Sequence, residues 1–555
     1  MKPGSKVNPS QQTIQIAAER YQSGRLAEAL ELCREILRAD PGNAHALHLQ
    51  GLVAHGLGDA QGALEALEKA VSLDPSDASL LNNLGEIYRG LGRLEEAETR
   101  YRKALALKSD YTEAHYNLGR VLQALGRTKE AAQSYDRHGS ELQKLGRVEE
   151  AAQSHRRALA LQSDFAEAHY NLGTALSYLR RYSEAAPCFV RALELKPDFV
   201  DAHINLGNCF KGLGRLEEAE RSYRRALELK PNHPVASYNC SLVKLLLGEY
   251  RVGFKLYELR FEGEGGAAAY FQYMSGQLGA KSFWQGEHLE GRTLLLWQEQ
   301  GAGDCIMAMR YLSQLKERRA GRVMIHCDAS LARLAQTFGV VDEVVVRDRP
   351  LSVGTFDCHC PIMSLPRLFD TTVETIPNQV PYLRVPEDLS RKWANKFGGV
   401  TPLRVGFAWA GGKLLPQDAL RSIPLEVFAP LLGVAGVNFV SLQKGEAADR
   451  LKGGRWKILD WMSECEDFLD TAALVEQLDL VVSVDTAVAH LAGALGKPVW
   501  LLSRFDGDWR WMPGREDSPW YPTMRIFRQT KTGDWGEVMT RVTSALQVRV
   551  YPGRT

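Results

Sequence analysis

A glycine-centred turn recurs at Gly24, Gly58, Gly92, Gly126, Gly146, Gly214 and Gly248, with Arg180 in the equivalent place, and the successive steps are 34, 34, 34, 20, 34, 34 and 34 residues. No other feature restricts the fold as strongly, because a fixed period of this length is the mark of stacked helical hairpins. Around each turn run Asn-Leu-Gly, Leu-Gly-Arg, Glu-Ala, an aromatic and Arg-Ala-Leu, as in DAHINLGNCFKGLGRLEEAERSYRRALELKPN at 201–232. Small residues such as Gly119 and Ala131 fall where the two helices of a hairpin touch, and Leu118, Leu122 and Tyr135 fill the space between them. Pro197 and Pro231 end one hairpin and begin the next. A single hairpin cannot bury its own apolar face, so the units are expected to stack into an α-solenoid with a concave binding surface.

The pattern resembles the tetratricopeptide repeat over about residues 10–262. The one step of 20 lacks the end of one helix, a turn and the start of the next, which predicts a local break or a single fused helix at about 128–145. Asn83, Asn117, Asn171, Asn205 and Asn239 hold one repeated place in the first helix of their units. An amide both donates and accepts, so such a ladder can hold an extended polypeptide backbone, or it can bridge neighbouring helices. A similar ladder in the repeats of O-linked N-acetylglucosamine transferases supports the peptide-binding reading. The expected partner of the concave surface is a protein or peptide acceptor.

Lys and Arg number 68 against 67 Asp and Glu, a formal charge of +1, which gives no global attraction for nucleic acid. The nine cysteines show no CxxC pair and no regular framework, so reduced thiols and a cytoplasmic location are expected. Cys358-His359-Cys360 reads as a buried strand or as half of a metal clip; no second Cys/His pair lies near it, and no metal site is expected. The first 20 residues lack the apolar centre of a signal peptide, and no apolar run of membrane-spanning length occurs.

Beyond a Gly/Ala-rich connector at 263–284, short Val/Leu-rich runs alternate with helical patterns: 293–297, 323–327, 343–347, 405–409, 438–443, 480–485 and 498–503. The alternation implies parallel sheets. A proline-rich stretch at 377–402 divides the runs into two Rossmann-like lobes, 285–385 and 400–548, with a cleft between them. Chemistry is expected at two strand-to-helix junctions. One is Gln300-Gly301-Ala302-Gly303-Asp304; the other is Asp485-Thr486 followed by a small-residue helix bearing His490. The 508–522 stretch, dense in tryptophan and charge, reads as a loop pinned against the second lobe, and the last helical segment, about 534–548, as one that crosses back to the first.

Over about 285–548 this half resembles the heptosyltransferase-type glycosyltransferases of family nine, which have the two-lobed B fold. The resemblance is carried by QGAGD at 300–304, VGFAWAGGK at 405–413, RSIP at 421–424, FVSLQKG at 439–445 and DTAVAHLAGALG at 485–496, with Ala487 where the family more often has glycine. It implies an inverting, metal-independent transfer of a sugar from a nucleotide-diphosphate donor to a hydroxyl, with the nucleotide-sugar a substrate and no cofactor. On this reading Asp304 is the catalytic base, Asp485 accepts sugar hydroxyls, and Thr486, Ala487 and His490 form the donor-binding run. Lys413, Arg421 and Lys444 would neutralise the leaving diphosphate. As bare patterns, Asp304 and the Asp-Thr pair are equally helix caps, His490 a packed core histidine, and the three cations solvated charge. Two other functions remain open: an O-linked N-acetylglucosamine transferase-like enzyme, and a catalytically inactive repeat scaffold for protein–protein interaction.

Overall fold

The computed structural model describes residues 9–262, 266–398, 402–412, 418–452 and 456–551. It contains two compact units, one ending at Cys209 and one beginning at Phe210. A run of helical hairpins is followed by two parallel sheets.

In the first unit the hairpins form for the reasons written in their small residues. A Cβ placed on Gly85 would lie 2.7 Å from the Tyr101 ring, and one on Gly173 would lie 2.9 Å from Phe189, so each glycine lets the aromatic of the second helix lie on the backbone of the first. Leu122, Ala131 and Tyr135 are buried between helices as expected. The turns at Gly24, Gly58, Gly92, Gly126 and Gly146 all have φ between 74° and 86°, and Arg180 is held at 60° in the same left-handed conformation. The short step is one helix, Thr128–Lys144, of 17 residues. Its second half takes the role of a first helix, since a Cβ on Gly139 would lie 2.6 Å from the His155 ring, as Gly173 meets Phe189.

The first sheet of the second unit has the order β1-β5-β2-β3-β4, with β1 Ser282–Phe283, β2 Thr293–Trp297, β3 Arg322–Cys327, β4 Glu343–Val346 and β5 Cys358–Pro361. The second has the order β11-β10-β9-β6-β7-β8, with β6 Leu403–Ala408, β7 Val437–Ser441, β8 Ile458–Asp460, β9 Leu480–Val484, β10 Val499–Ser503 and β11 Met524–Arg528. All neighbours within each sheet are parallel. Cys358, His359 and Cys360 lie in β5 and are buried. β1 lies inside the stretch read as a connector, which also holds the helix Gly266–Leu278. Among the described residues no helix is long and apolar enough to cross a membrane.

Two expectations are corrected. The closing helix Trp535–Val550 does not cross back to the first lobe: Trp535, Val538, Met539, Val542 and Leu546 pack with Val405, Phe407 and Phe439 of the second sheet. Its apolar stripe matches the face those two strands leave uncovered. The 508–522 loop is held on three sides rather than one. Its Trp520 carbonyl accepts from Arg310 of the first lobe at 2.6 Å. Its Trp520 indole donates to the Tyr250 hydroxyl at 3.1 Å, and Trp509 meets Phe254 edge-on at 5.5 Å. Both aromatics belong to Tyr250–Tyr257, the last helix of the repeat run, which is therefore part of the second unit's core.

Candidate active site

A cleft of about 920 Å³ opens at the carboxyl ends of both sheets. Its wall is built from the segments that leave the strands: Gln300–Asp304 after β2, Ala410–Gly412 after β6, Gln443 and Lys444 after β7, Asp485–Val488 after β9 and Asp508–Arg510 after β10. Tyr238 and Tyr257, from the last repeat hairpin, complete it. In parallel sheets this edge is where loops diverge and side chains are free to converge, because the strands themselves are covered on both faces.

Asp304 sits three residues beyond the Gly301 cap of Ala302–Ala308, and its Oδ2 accepts the Gly301 N–H at 3.1 Å. Asp304 is thus not the N-cap itself but the third helical residue, whose carboxylate reaches back to the N–H of the cap. Its other oxygen, Oδ1, accepts from Arg510, whose Nη1 also donates to Asp508 Oδ1 at 2.7 Å. Burial raises the Asp304 carboxyl above its ordinary range, and Asp508 pushes the same way, while Arg510 opposes them. One oxygen is therefore oriented by backbone and the other by a guanidinium, with 23% of the side chain still open to solvent.

The second junction faces the first. A Cβ on Gly303 would lie 2.8 Å from His490 Cδ2 and 3.3 Å from Ala487 Cα, so the helices Ala302–Ala308 and Ala487–Ala494 touch through a residue with no side chain. Thr486 is the extended N-cap of the second helix, and its hydroxyl is 3.1 Å from Ser483 Oγ. Asp485 keeps partial solvent access. Burial and the neighbouring Asp508 raise its carboxyl to about 6, against the pull of Arg510 and Arg421. His490 is 5% exposed, with Nδ1 3.0 Å from the Tyr521 hydroxyl and its ring beside Trp511. Burial and the arginines around it hold the imidazole well below its ordinary value, and it is neutral. The core reading describes its packing, and its edge still lines the cleft.

Of the three cations, Arg421 and Lys444 line the cleft and Lys413 lies outside the described residues. Arg421 donates to the Asp485 carbonyl at 2.8 Å and pairs with Asp418 at 2.5 Å. Its Nε is buried without a hydrogen-bond partner. Lys444 donates to the Cys465 carbonyl. The structure thus brings together Asp304, Asp485, Thr486, Ala487, His490, Arg421 and Lys444 around one cavity. Sequence reasoning missed Arg510, Asp508 and Asp418. The charge density of 508–522 was the available signal, but its tryptophans read as packing.

Four of the five asparagines belong to the first unit. Asn83 Nδ2 meets His48 at 2.7 Å, Asn117 donates to Asn82 at 3.2 Å, Asn171 to Asp136 at 3.0 Å and Asn205 to the Tyr170 hydroxyl at 3.2 Å. Each partner stands 35 positions earlier. These four amides therefore bridge neighbouring helices with their donors; Asn239 is half-buried and also engaged.

Sequence models of the tetratricopeptide repeat match residues 15–78, 66–99, 114–141 and 170–234, and a TPR repeat model matches 85–126 and 139–177. The model of glycosyltransferase family 9 (heptosyltransferase) matches 466–502, which includes Asp485, Thr486, Ala487 and His490. Protein FlbA of Caulobacter vibrioides is 27% identical over 336 residues, covering 55% of this chain and 54% of that protein. The chain thus matches about half the length of this curated relative. Among solved structures, YrrB, described as a TPR protein with an unusual peptide-binding site, is 27% identical; the match covers 31% of this chain and 97% of that one, with a TM-score of 0.20. For MamA the figures are 25%, 32%, 94% and 0.16, and for a thermophilic TPR protein of Thermus thermophilus they are 24%, 36%, 98% and 0.21. The chain thus carries tetratricopeptide repeats and, behind them, a segment similar to glycosyltransferase family 9 (heptosyltransferase).

Proposed function

We propose that the protein is a glycosyltransferase that moves a sugar from a nucleotide-diphosphate donor to a hydroxyl of a protein recruited by the repeats. The observation that carries this reading is the convergence of Asp304 and the Asp485–His490 run on one cavity at the carboxyl ends of two parallel sheets. The acceptor oxygen attacks the anomeric carbon as its proton passes to the Asp304 carboxylate. The bond from that carbon to the diphosphate oxygen breaks, and its electron pair leaves with the diphosphate, which inverts the centre. A carboxyl raised by burial holds the proton better than a solvated one, and Arg510 favours its ionised form. The leaving charge meets Arg421, Lys444 and the amide groups at the start of Ala487–Ala494, so no metal is invoked.

Calorimetric titration of the full chain with ADP and with UDP tests the reading, followed by turnover of the matching nucleotide-sugar. Saturable binding of one nucleotide is expected, weakened at least tenfold in Thr486→Val. Asp304→Asn should keep nucleotide binding and lose turnover by a factor of roughly 10² or more. The scaffold reading draws on the ion pair that closes Arg510 onto Asp304. Absence of binding by either nucleotide would favour it.

A further inference from the structure

We infer that the short step in the repeat array creates a docking pocket for an acidic peptide, built around Arg120 and Arg157. The pocket, about 640 Å³, lies in the first unit among three consecutive helices, Thr112–Ala124, Thr128–Lys144 and Val148–Leu161. In an unbroken array a second helix would separate the places that Tyr116 and Arg157 occupy, because these two repeat positions would stand 14 residues farther apart. The fused helix removes that spacer. Arg157 Nη1 consequently reaches the Tyr116 hydroxyl at 2.9 Å, and the guanidiniums of Arg157 and Arg120 lie 5.3 and 5.9 Å from the Tyr116 ring.

The chemistry inside favours an anion on an otherwise uncharged strand. The lining holds two arginines and no carboxylate. Glu86 is one carboxylate whose field includes Arg120, and it is already bonded to Arg89 at 2.8 Å and to the Tyr101 hydroxyl. Elsewhere in this array arginines close onto glutamates three places along, as Arg147 does onto Glu150 at 2.7 Å and Arg181 onto Glu184 at 2.6 Å. Arg120 and Arg157 instead rest against an aromatic ring, and beyond the one bond from Arg157 Nη1 to Tyr116 their N–H groups remain to receive a carboxylate. Tyr135 donates to Gln123 Oε1 at 3.2 Å, which leaves the Gln123 amide N–H groups for a backbone carbonyl. The exposed Ala124 and Ala160 at the mouth and the half-buried Leu161 give an apolar edge beside the charge, matched to an aliphatic residue next to the acidic one. A chain of formal charge +1 suits a peptide rather than a polyanion as the partner.

This inference does not depend on the chemistry of the cleft. Its test is fluorescence anisotropy of the full chain with a fluorescein-labelled octapeptide of alternating Glu and Leu, beside its Gln and Leu counterpart. Saturable binding of the first and at least tenfold weaker binding of the second are expected. Arg120→Gln and Arg157→Gln should each raise Kd roughly tenfold, and Ala124→Glu, which sets a carboxylate at the exposed mouth, should abolish binding with the melting curve unchanged. Binding should weaken from 50 to 300 mM salt and persist in Asp304→Asn. No saturable binding of the acidic peptide, equal affinity for both peptides, indifference to the two arginine variants, or displacement of the peptide by octathymidylate at lower concentration would each overturn it.

Discussion

Gly303→Ala is the sharpest test of the way the two junctions meet. The added carbon would stand 2.8 Å from His490 Cδ2 and 3.3 Å from Ala487 Cα. Carbon atoms prefer about 3.5–4.0 Å, so the first contact is close to 1 Å too short and the second slightly short. The ring cannot swing aside freely, because Tyr521 holds its Nδ1 at 3.0 Å and Trp511 lies beside it. Overpacking of this kind costs about 1–3 kcal/mol. All eleven tryptophans lie at or beyond Trp284, so their fluorescence reports on the second unit alone. With a urea slope near 3 kcal/mol/M, the unfolding midpoint should fall by roughly 0.3–1 M. Adding His490→Ala removes the worse contact and leaves the milder one. The double variant should therefore be more stable than the sum of the two single losses by about 1 kcal/mol or more. An unmoved midpoint in Gly303→Ala, or strict additivity in the double variant, would refute the contact between the helices as described.

Other consequences rest on the same geometry. Asp485 is raised to about 6, above an ordinary carboxyl near 4, so the folded state holds its proton more tightly than the unfolded one. That stability is present at low pH and is lost as the pH rises from about 4 through 6. Asp485→Asn should then raise the urea midpoint at pH 7.5, by an equivalent of about 1–2 kcal/mol, and lose most of that advantage at pH 4.5. Arg510→Met leaves Asp304 and Asp508 without their shared cation and should destabilise the second unit by about 2 kcal/mol at pH 7.5 and less at pH 4.5, read by the same fluorescence. Arg180, at φ 60°, occupies a turn that glycine fills elsewhere, so Arg180→Gly should slow hydrogen exchange in the flanking helices, Ala166–Tyr178 and Tyr182–Leu195, by an equivalent of roughly 0.5–1 kcal/mol.

Most of the fold is legible in the sequence where structure is periodic or covered on two faces. The hairpins announce themselves through the turn residues, each of which adopts the left-handed conformation that glycine favours. β2, β9 and β10 are central strands, buried along nearly their whole length, and so read as apolar runs. Of the four edge strands only β4 is legible as a run, and the other three are hidden for the converse reason. β11 is broken by Arg525, which points to solvent, and β1 and β8 are only two and three residues long. An edge strand needs apolar residues on fewer sides, and its charges guard against pairing with other chains.

The candidate site divides along the same line. Asp304, Asp485 and Thr486 are legible because a junction between strand and helix is a local event, fixed by residues that adjoin in sequence. Arg510 is a different case: it meets Asp304 from 206 positions away, and only closure of two lobes and a repeat hairpin around Trp509 and Trp520 sets that distance. Its neighbours look like packing because they are packing; Trp511 and Trp520 are fully buried. The same scaffold that hides the loop from a sequence reading makes it useful. A guanidinium fixed by Asp508 and by three-sided burial of its loop orients a carboxylate without a flexible side chain having to be ordered at each encounter. A single short step in the repeats acts comparably at the other end of the chain: it leaves each helix ordinary and changes only which helices meet, so its consequence lies in the gap between Tyr116 and Arg157 rather than in any residue of the fused helix itself.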